Sequence, residues 1–194
     1  MKLFCSRLKR SLSALNNCRL DFDLYYILLT KLNVSHQFLH YPFHSPGPAD
    51  VVVGTLVDAP FDRVVAGFGS PLFSVLNPPF PRTHLIRMDG NLPGHRIELK
   101  LDFGLFSQDW TGVITAQAES YSHYWFVDQG VRLPFFLRSW EHFHGIIEIS
   151  ARVTYITDAI RFREAPWIPR FLMRWMLLLL MRYRSPRYKR YFVM

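Results

Sequence analysis

Between residues 95 and 103 the chain alternates without a break: Ile97, Leu99, Leu101 and Phe103 are apolar, and Arg96, Glu98, Lys100 and Asp102 stand between them. Successive side chains of a strand point to opposite faces, so this segment builds a sheet with one covered and one wet face. Such a sheet is antiparallel, because strands of a parallel sheet are buried on both faces and read as continuous apolar runs. Further strands are expected at residues 110–119, 122–128, 137–144 and 153–162, at hairpin-like spacing. Asp89-Gly90 and Pro93-Gly94 mark one turn and residues 104–109 another. Thirteen prolines and ten glycines agree with many turns and argue against a helical bundle.

The flanks complete an α+β pattern. Residues 51–57 form a short β-branched strand, and Asp58 and Pro60 place a helix N-terminus after it, the helix running through Phe68. Ser70-Pro71 breaks that helix, a second covers residues 72–76, and Asn77-Pro78-Pro79 stops it. Pro166 and Pro169 then open a helix over residues 170–183. Its expected stripe is Phe171, Leu172, Trp175, Leu179 and Tyr183, with Arg170, Arg174 and Arg182 off it, and Ser185-Pro186 interrupts it before a last turn near residues 188–192. A curved antiparallel sheet must cover its apolar face, and this last helix is the lid at hand. One domain is expected over residues 49–194, preceded by a basic extension and linker over 1–48, the linker being the proline-rich segment 36–48.

The formal charge of +8 is uneven. Residues 50–160 hold eight basic and twelve acidic side chains, whereas residues 161–194 hold nine basic and one acidic. A nucleic-acid-binding body would carry the basic stripe on the folded core, so nucleic acid is not an expected partner. A basic tail suits weak contact with an anionic membrane surface through residues 161–194, or simply a solvated helix face. The only cysteines, Cys5 and Cys18, lie before the domain, so no disulfide framework is expected, as in the reducing cytoplasm. An organellar location would follow if residues 1–20, basic and free of acids, acted as a transit peptide. No run approaches the eighteen apolar residues of a membrane span.

Several local motifs accompany this order of elements: Asp58-Ala59-Pro60, Leu76-Asn77-Pro78-Pro79, and Phe126-Val127-Asp128-Gln129 followed by Pro134-Phe135. Trp140-x-His142-x-His144 and Thr157-Asp158-x-Ile160-x-Phe162 complete the set. Together they resemble the START-like, helix-grip superfamily (the SRPBCC or polyketide-cyclase/dehydrase group), and more narrowly its bacterial ligand-binding members labelled as cell-division inhibitors. The resemblance covers residues 51–192. It departs at Leu133, where the subgroup has Gly, and at residues 149–151, which lack the usual Gly pair. It implies a cavity between sheet and long helix for a small apolar molecule: a lipid, sterol, polyketide or aromatic compound. Residues expected to touch that ligand are Leu99, Leu101, Phe103, Trp110, Tyr124, Phe126, Trp140, His142, His144 and Trp175.

Trp140, His142 and His144 share one strand face, with Glu141 and Phe143 on the other. On the concave face the imidazoles would orient a carbonyl or hydroxyl, or exchange a proton near neutral pH. Asp128 and Asp158 are acids inside apolar strands and need partners there, so each is a candidate orienter for His142 or His144. A filled polar layer of structural hydrogen bonds explains the same residues equally well. The chain holds no Gly-x-Ser-x-Gly elbow and no glycine-rich phosphate loop, and no third ligand sits at metal spacing beside the two histidines, so no metal or cofactor is expected. Three functions remain open: a binding module, a cyclase/dehydratase-type enzyme using a His–carboxylate pair, and a peripheral membrane or interaction protein acting through its basic last helix.

Overall fold

The computed structural model describes residues 48–193, within the second of the two units into which the chain divides, residues 41–194. The basic segment 1–20, both cysteines and the linker as far as residue 47 lie outside the described residues. The element order is β1 (Val51–Val57), α1 (Phe61–Gly67), α2 (Ser70–Leu76), β2 (Arg82–Met88), β3 (Arg96–Asp102), β4 (Ser107–Ser120), β5 (His123–Arg132), β6 (Leu137–Ser150), β7 (Val153–Glu164) and α3 (Arg170–Val193). The alternating segment is β3, and its apolar side chains face the concave side. All seven strands form one curled antiparallel sheet in the order β1-β7-β6-β5-β4-β3-β2, so the first strand closes against the last. This is the α+β helix-grip architecture, with the long last helix on the sheet.

Strand β2 was absent from the sequence expectations. Its seven residues RTHLIRM carry too little alternation to signal a strand, and pairing with β3 makes it one, with an irregularity between Leu85 and Arg87. The β6–β7 hairpin closes tightly, pairing Ser150 with Val153, despite lacking the glycine pair. Helix α1 starts later than an Asp58 cap would set it: Pro60 takes the N-cap position, its fixed φ of −62° leading into the first turn.

The last helix departs most from expectation. It runs unbroken for 24 residues with Pro186 inside it. Proline removes the backbone donor that would meet the Arg182 carbonyl; beside it the Arg187 guanidinium donates to the Tyr183 carbonyl at 3.0 Å and Ser185 Oγ lies 2.7 Å from Thr55 Oγ1 on β1. Packing beyond the proline holds the helix on course, because Tyr188 and Phe192 are fully buried. The buried stripe is therefore Met173, Leu177, Met181, Tyr188 and Phe192. Of the expected stripe, Phe171, Trp175 and Leu179 face outward, with Phe171 at 76% and Trp175 at 60% exposure, whereas Tyr183 is half-buried.

Two apolar clusters fill the concave side. Met173, Leu177 and Met181 pack with Val51, Val53, Trp140, Ile160 and Phe162. Tyr188 and Phe192 pack with Phe61, Val64, Phe68 and Leu72 of α1, α2 and the residues joining them, and with Phe126, Ile146 and Ile156 of the sheet. Among the described residues no helix is long and apolar enough to cross a membrane.

The two faces of α3 make opposite predictions. Phe192→Ala should cost about 3–5 kcal/mol of unfolding free energy, the scale of a buried aromatic deletion. Trp175→Ala should stay within about 0.5 kcal/mol, as for an exposed side chain. Urea denaturation of both variants checks the assignment, and equal losses would contradict it.

Candidate functional site

Strand pairing brings four ionisable side chains together on the concave face. Asp128 on β5 stands directly opposite His142 on β6, and His144 on β6 directly opposite Asp158 on β7. Residues opposite one another share a face, so the four form a block, with both carboxylates outside and both imidazoles between. Each is buried or nearly so. The block lies between the two apolar clusters: along β6 the concave side chains run Trp140, His142, His144, Ile146, and along β7 Phe162, Ile160, Asp158, Ile156.

Asp158 Oδ1 is 3.0 Å from His142 Nε2 and 3.2 Å from His144 Nδ1, the second contact lying off line for a full hydrogen bond. The other imidazole nitrogens face Asp128: His142 Nδ1 is 3.6 Å and His144 Nε2 3.4 Å from Oδ2. Trp140 Nε1 donates to Asp128 Oδ1 at 3.2 Å. Above the block, Arg184 Nη1 of α3 is 3.9 Å from Asp158 Oδ1. The rings are wedged among aromatics, His144 stacking on Phe126 at 4.4 Å and His142 edge-on to Trp140 at 5.6 Å.

Burial and coupling split the proton affinities. Burial, helped by the neighbouring charge of His144, pushes His142 down to about 4. Burial acts the same way on His144 but is outweighed by its polar contacts with Asp128 and Asp158, so its pKa is raised. Burial would raise Asp158, yet the hydrogen bonds and charges of the two histidines overcome it and hold the carboxyl well below the usual range. The two imidazoles are thus pushed apart: His142 favours its neutral form, and His144 holds a proton more tightly than a free imidazole does, beside an ionised Asp158. Neighbouring groups with proton affinities split in this way suit opposite acid and base roles.

The block forms one wall of a cavity of about 600 Å³. Leu99, Leu101, Phe103, Trp110, Phe126, Trp140, His142 and His144, all expected at the ligand, line it, and so does Asp128. Two expected residues do not. Tyr124 is buried in the inner apolar cluster, and Trp175 lies on the outer face of α3 because the helix presents a different stripe. Asp158 is not on the wall; it backs the histidines. Sequence reasoning missed Arg184, which lines the cavity, along with Met173, Leu177 and Met181. Carrying the helical period through Ser185-Pro186 would have found them. Exposed Phe80, Phe135 and Trp167 also line the cavity and form its rim.

The sequence offers no third ligand at local metal spacing beside the histidines, and the fold brings one candidate from a distance. Asp128, His142 and His144 place ligand atoms within 4.8 Å of one another. The third ligand comes from the neighbouring strand, 14 positions from His142 in the chain, so no local spacing reveals it.

The sheet and long last helix make the helix-grip fold, and comparison with solved structures finds that same fold in START-like proteins. The chain is similar to a START superfamily protein from Mycobacterium smegmatis (10% identity, TM-score 0.58), covering 73% of this chain and 95% of that one. It is also similar to norcoclaurine synthase from Thalictrum flavum in complex with dopamine and hydroxybenzaldehyde (10% identity, TM-score 0.53, 78% and 94% covered). A third is the di-domain ARO/CYC BexL from the BE-7585A biosynthetic pathway (15% identity, TM-score 0.52), of which this chain covers 45%. No protein-family model matches the chain. No curated protein matches it in sequence.

The lowered pKa of His142 fixes a stability slope. In the unfolded chain the imidazole takes its proton near pH 6.5, in the folded protein only near 4, so the unfolded state binds more protons between these values. The stabilisation is complete above pH 6.5 and is lost as pH falls toward 4, by about 3 kcal/mol. His144, shifted upward, acts oppositely: its contribution is complete below pH 6.5 and fades as pH rises through its folded value. Urea titrations of chelator-treated protein at pH 7, 5.5 and 4.5 measure the acid slope, which His142→Gln should flatten.

Proposed function

We propose that the protein binds a small apolar molecule, lipid-like, polyketide or aromatic, inside the cavity and holds a carbonyl or hydroxyl of it against the histidines. The observation that carries this is the cavity itself: about 600 Å³, walled mainly by apolar side chains, with Asn77, Thr83 and Asn91 the uncharged polar ones and its charged and imidazole groups gathered at Asp128, His142, His144 and Arg184. That volume falls within the roughly 300–1,000 Å³ of small-molecule sites, which join apolar walls to a few convergent polar groups. One polar end sets the orientation of a ligand that the rest binds without direction.

The cavity's rim favours delivery from a membrane surface. Phe80, Phe135 and Trp167 are exposed there, and Phe171 and Trp175 continue the apolar surface along α3. Basic side chains accompany them, although Arg170 is partly engaged by Asp50 and Glu164. Contact with anionic vesicles is therefore expected to keep a salt-resistant part from the aromatics besides the salt-sensitive part of about 1 kcal/mol per basic residue. Sedimentation with vesicles at low and high salt measures both parts, and absence of binding at both removes the membrane from the proposal.

A second function is favoured by the opposite pKa shifts of His142 and His144. Perturbed groups of this kind facing a cavity suit general acid–base work of the cyclase/dehydratase type, with His142 as base, His144 as acid and Asp158 as orienter. Conversion of a bound carbonyl compound, lost in His142→Gln, would decide for it.

The binding proposal is tested with a fluorescent fatty-acid or polyaromatic probe. Trp140→Ala should weaken uptake by roughly 1.5–3 kcal/mol, the scale of one large apolar contact. Leu99→Trp, which fills the space from β3, should reduce uptake with little change in melting temperature. Variants that melt lower yet bind every probe like the parent would make these residues ordinary core.

A further inference from the structure

Two imidazole nitrogens and a carboxylate oxygen converge at the polar end of the cavity at a spacing that hydrogen bonding does not explain. Asp128 Oδ2 is 3.4 Å from His144 Nε2 and 3.6 Å from His142 Nδ1. Good hydrogen bonds between such atoms span about 2.7–3.2 Å. His142 Nε2 is engaged by Asp158 at 3.0 Å, which leaves Nδ1 as the ring nitrogen turned toward Asp128. The Nδ1 lone pair then looks at a carboxylate oxygen. Two electron-rich atoms facing each other in a buried site call for something positive between them.

We propose that Asp128, His142 and His144 bind one divalent transition-metal ion of the zinc or ferrous class, with its open coordination positions turned toward the cavity. Zinc bonds of about 2.0–2.2 Å to nitrogen and oxygen keep tetrahedral ligands about 3.4 Å apart. Both carboxylate–imidazole distances already match that spacing. All three ligand atoms lie within 4.8 Å of one another, so the remaining nitrogen–nitrogen distance has at most about 1.4 Å to close.

The surroundings are those of a metal centre rather than of a loose polar cluster. Metal-bound imidazoles characteristically donate their far N–H to a carboxylate, which fixes tautomer and ring orientation. Asp158 is hydrogen-bonded to His142 at that place and lies 3.2 Å from His144 Nδ1, without lining the cavity. Trp140 Nε1 holds the other oxygen of Asp128, leaving Oδ2 to turn inward. Gly112 on β4 leaves room for that carboxylate: a Cβ there would sit 3.3 Å from Asp128 Oδ1.

The donor set narrows the ion. Two imidazoles disfavour magnesium and calcium, which prefer oxygen, and the absence of thiolate among these ligands disfavours copper(I). Three protein ligands with open positions is the pattern of reactive rather than structural sites. An ion here would accept a carbonyl or hydroxyl oxygen from whatever enters the cavity and polarise it. The site rests on ligand-atom geometry and stands whether or not the cavity holds the molecule proposed above. An ion here would occupy the nitrogens that acid–base chemistry would use, so metal-free acid–base chemistry and a metal centre are alternatives on the same atoms.

The full-length protein, stripped with chelator, is titrated with cobalt(II) and with zinc(II). One ion per chain is expected, with the intense visible absorption of four- or five-coordinate cobalt, displaced by zinc. Asp128→Asn, nearly isosteric, should weaken binding at least about 100-fold, and Asp158→Asn, acting through the histidines, about 10–100-fold. Melting curves identify variants that fail to fold. Zinc-edge X-ray absorption of the wild-type protein needs no variant and should count two imidazoles with oxygen completing the shell. A cobalt band that survives Asp128→Asn in a folded protein overturns the site. So does an absorption spectrum with one imidazole, more than two, or sulfur, and so does the absence of stoichiometric binding. Uptake of the apolar probe by the metal-free protein is measured in parallel, so a failed metal site and a failed cavity proposal are told apart.

Discussion

A row of polar side chains buried across the concave face of the sheet constrains everything around it. Asp158 on β7, His142 and His144 on β6 and Asp128 on β5 lie side by side, with Thr55 on β1 one step along the face, opposite Ile156, and Arg184 and Ser185 of α3 above. Buried polar and charged groups are tolerable only when partnered, and removing one partner from a buried pair is more damaging than leaving out both. Each group's partner sits on a neighbouring strand or on α3. Slipping β6 by one residue would send both histidines to the convex face; slipping it by two would separate Asp128 from His142 and Asp158 from His144. Apolar neighbours such as Ile146 and Ile156 would tolerate a shifted partner far better. The row therefore sets the register, and through Thr55 and Ser185 also the position at which the helix crosses β1.

Much of this architecture was legible because period-two alternation is a strong signal wherever one face is wet. Residues 95–103 announced β3, and Trp140, His142 and His144 announced a shared face from their spacing alone. The convergence of Asp128 and Asp158 on those histidines was expected in outline, since an acid within an apolar strand must find a partner. What stayed hidden depended on pairing across the sheet or on packing. Asp128 becomes a third potential metal ligand only through its cross-strand position opposite His142. Strand β2 exists because β3 offers it an edge, not because RTHLIRM alternates. The face of α3 was misjudged for a related reason. Phe171, Trp175 and Leu179 are the bulkier side chains, whereas the buried stripe relies on methionines and extends past Pro186 to Tyr188 and Phe192. Taking the proline as a stop hid the half of the helix that fixes its rotation, and with it Arg184.

The cavity follows from a mismatch of widths. A seven-stranded sheet with neighbouring strands about 4.8 Å apart spans far more than the roughly 10 Å of a single helix. Helix α3 packs chiefly over β1, and α2 lies near β2 at the other edge. The concave side of β3, β4 and β5 between them is only partly covered. Its side chains, Leu99, Leu101, Phe103, Trp110 and Phe126, are apolar and directed into the gap. Filling that gap would need larger residues on α3 where Met173, Met176, Leu177 and Leu180 stand. Methionine is flexible enough to line a space that different molecules can shape. The polar row closes the inner end of the gap, so an entering molecule meets apolar wall along its length and charge only at its tip. That tip is buried, and within it one extra positive charge relieves the electrostatic conflict at Asp128 Oδ2. A proton on His144 does so from one side only, whereas an ion seated among Asp128, His142 and His144 engages all three atoms at once.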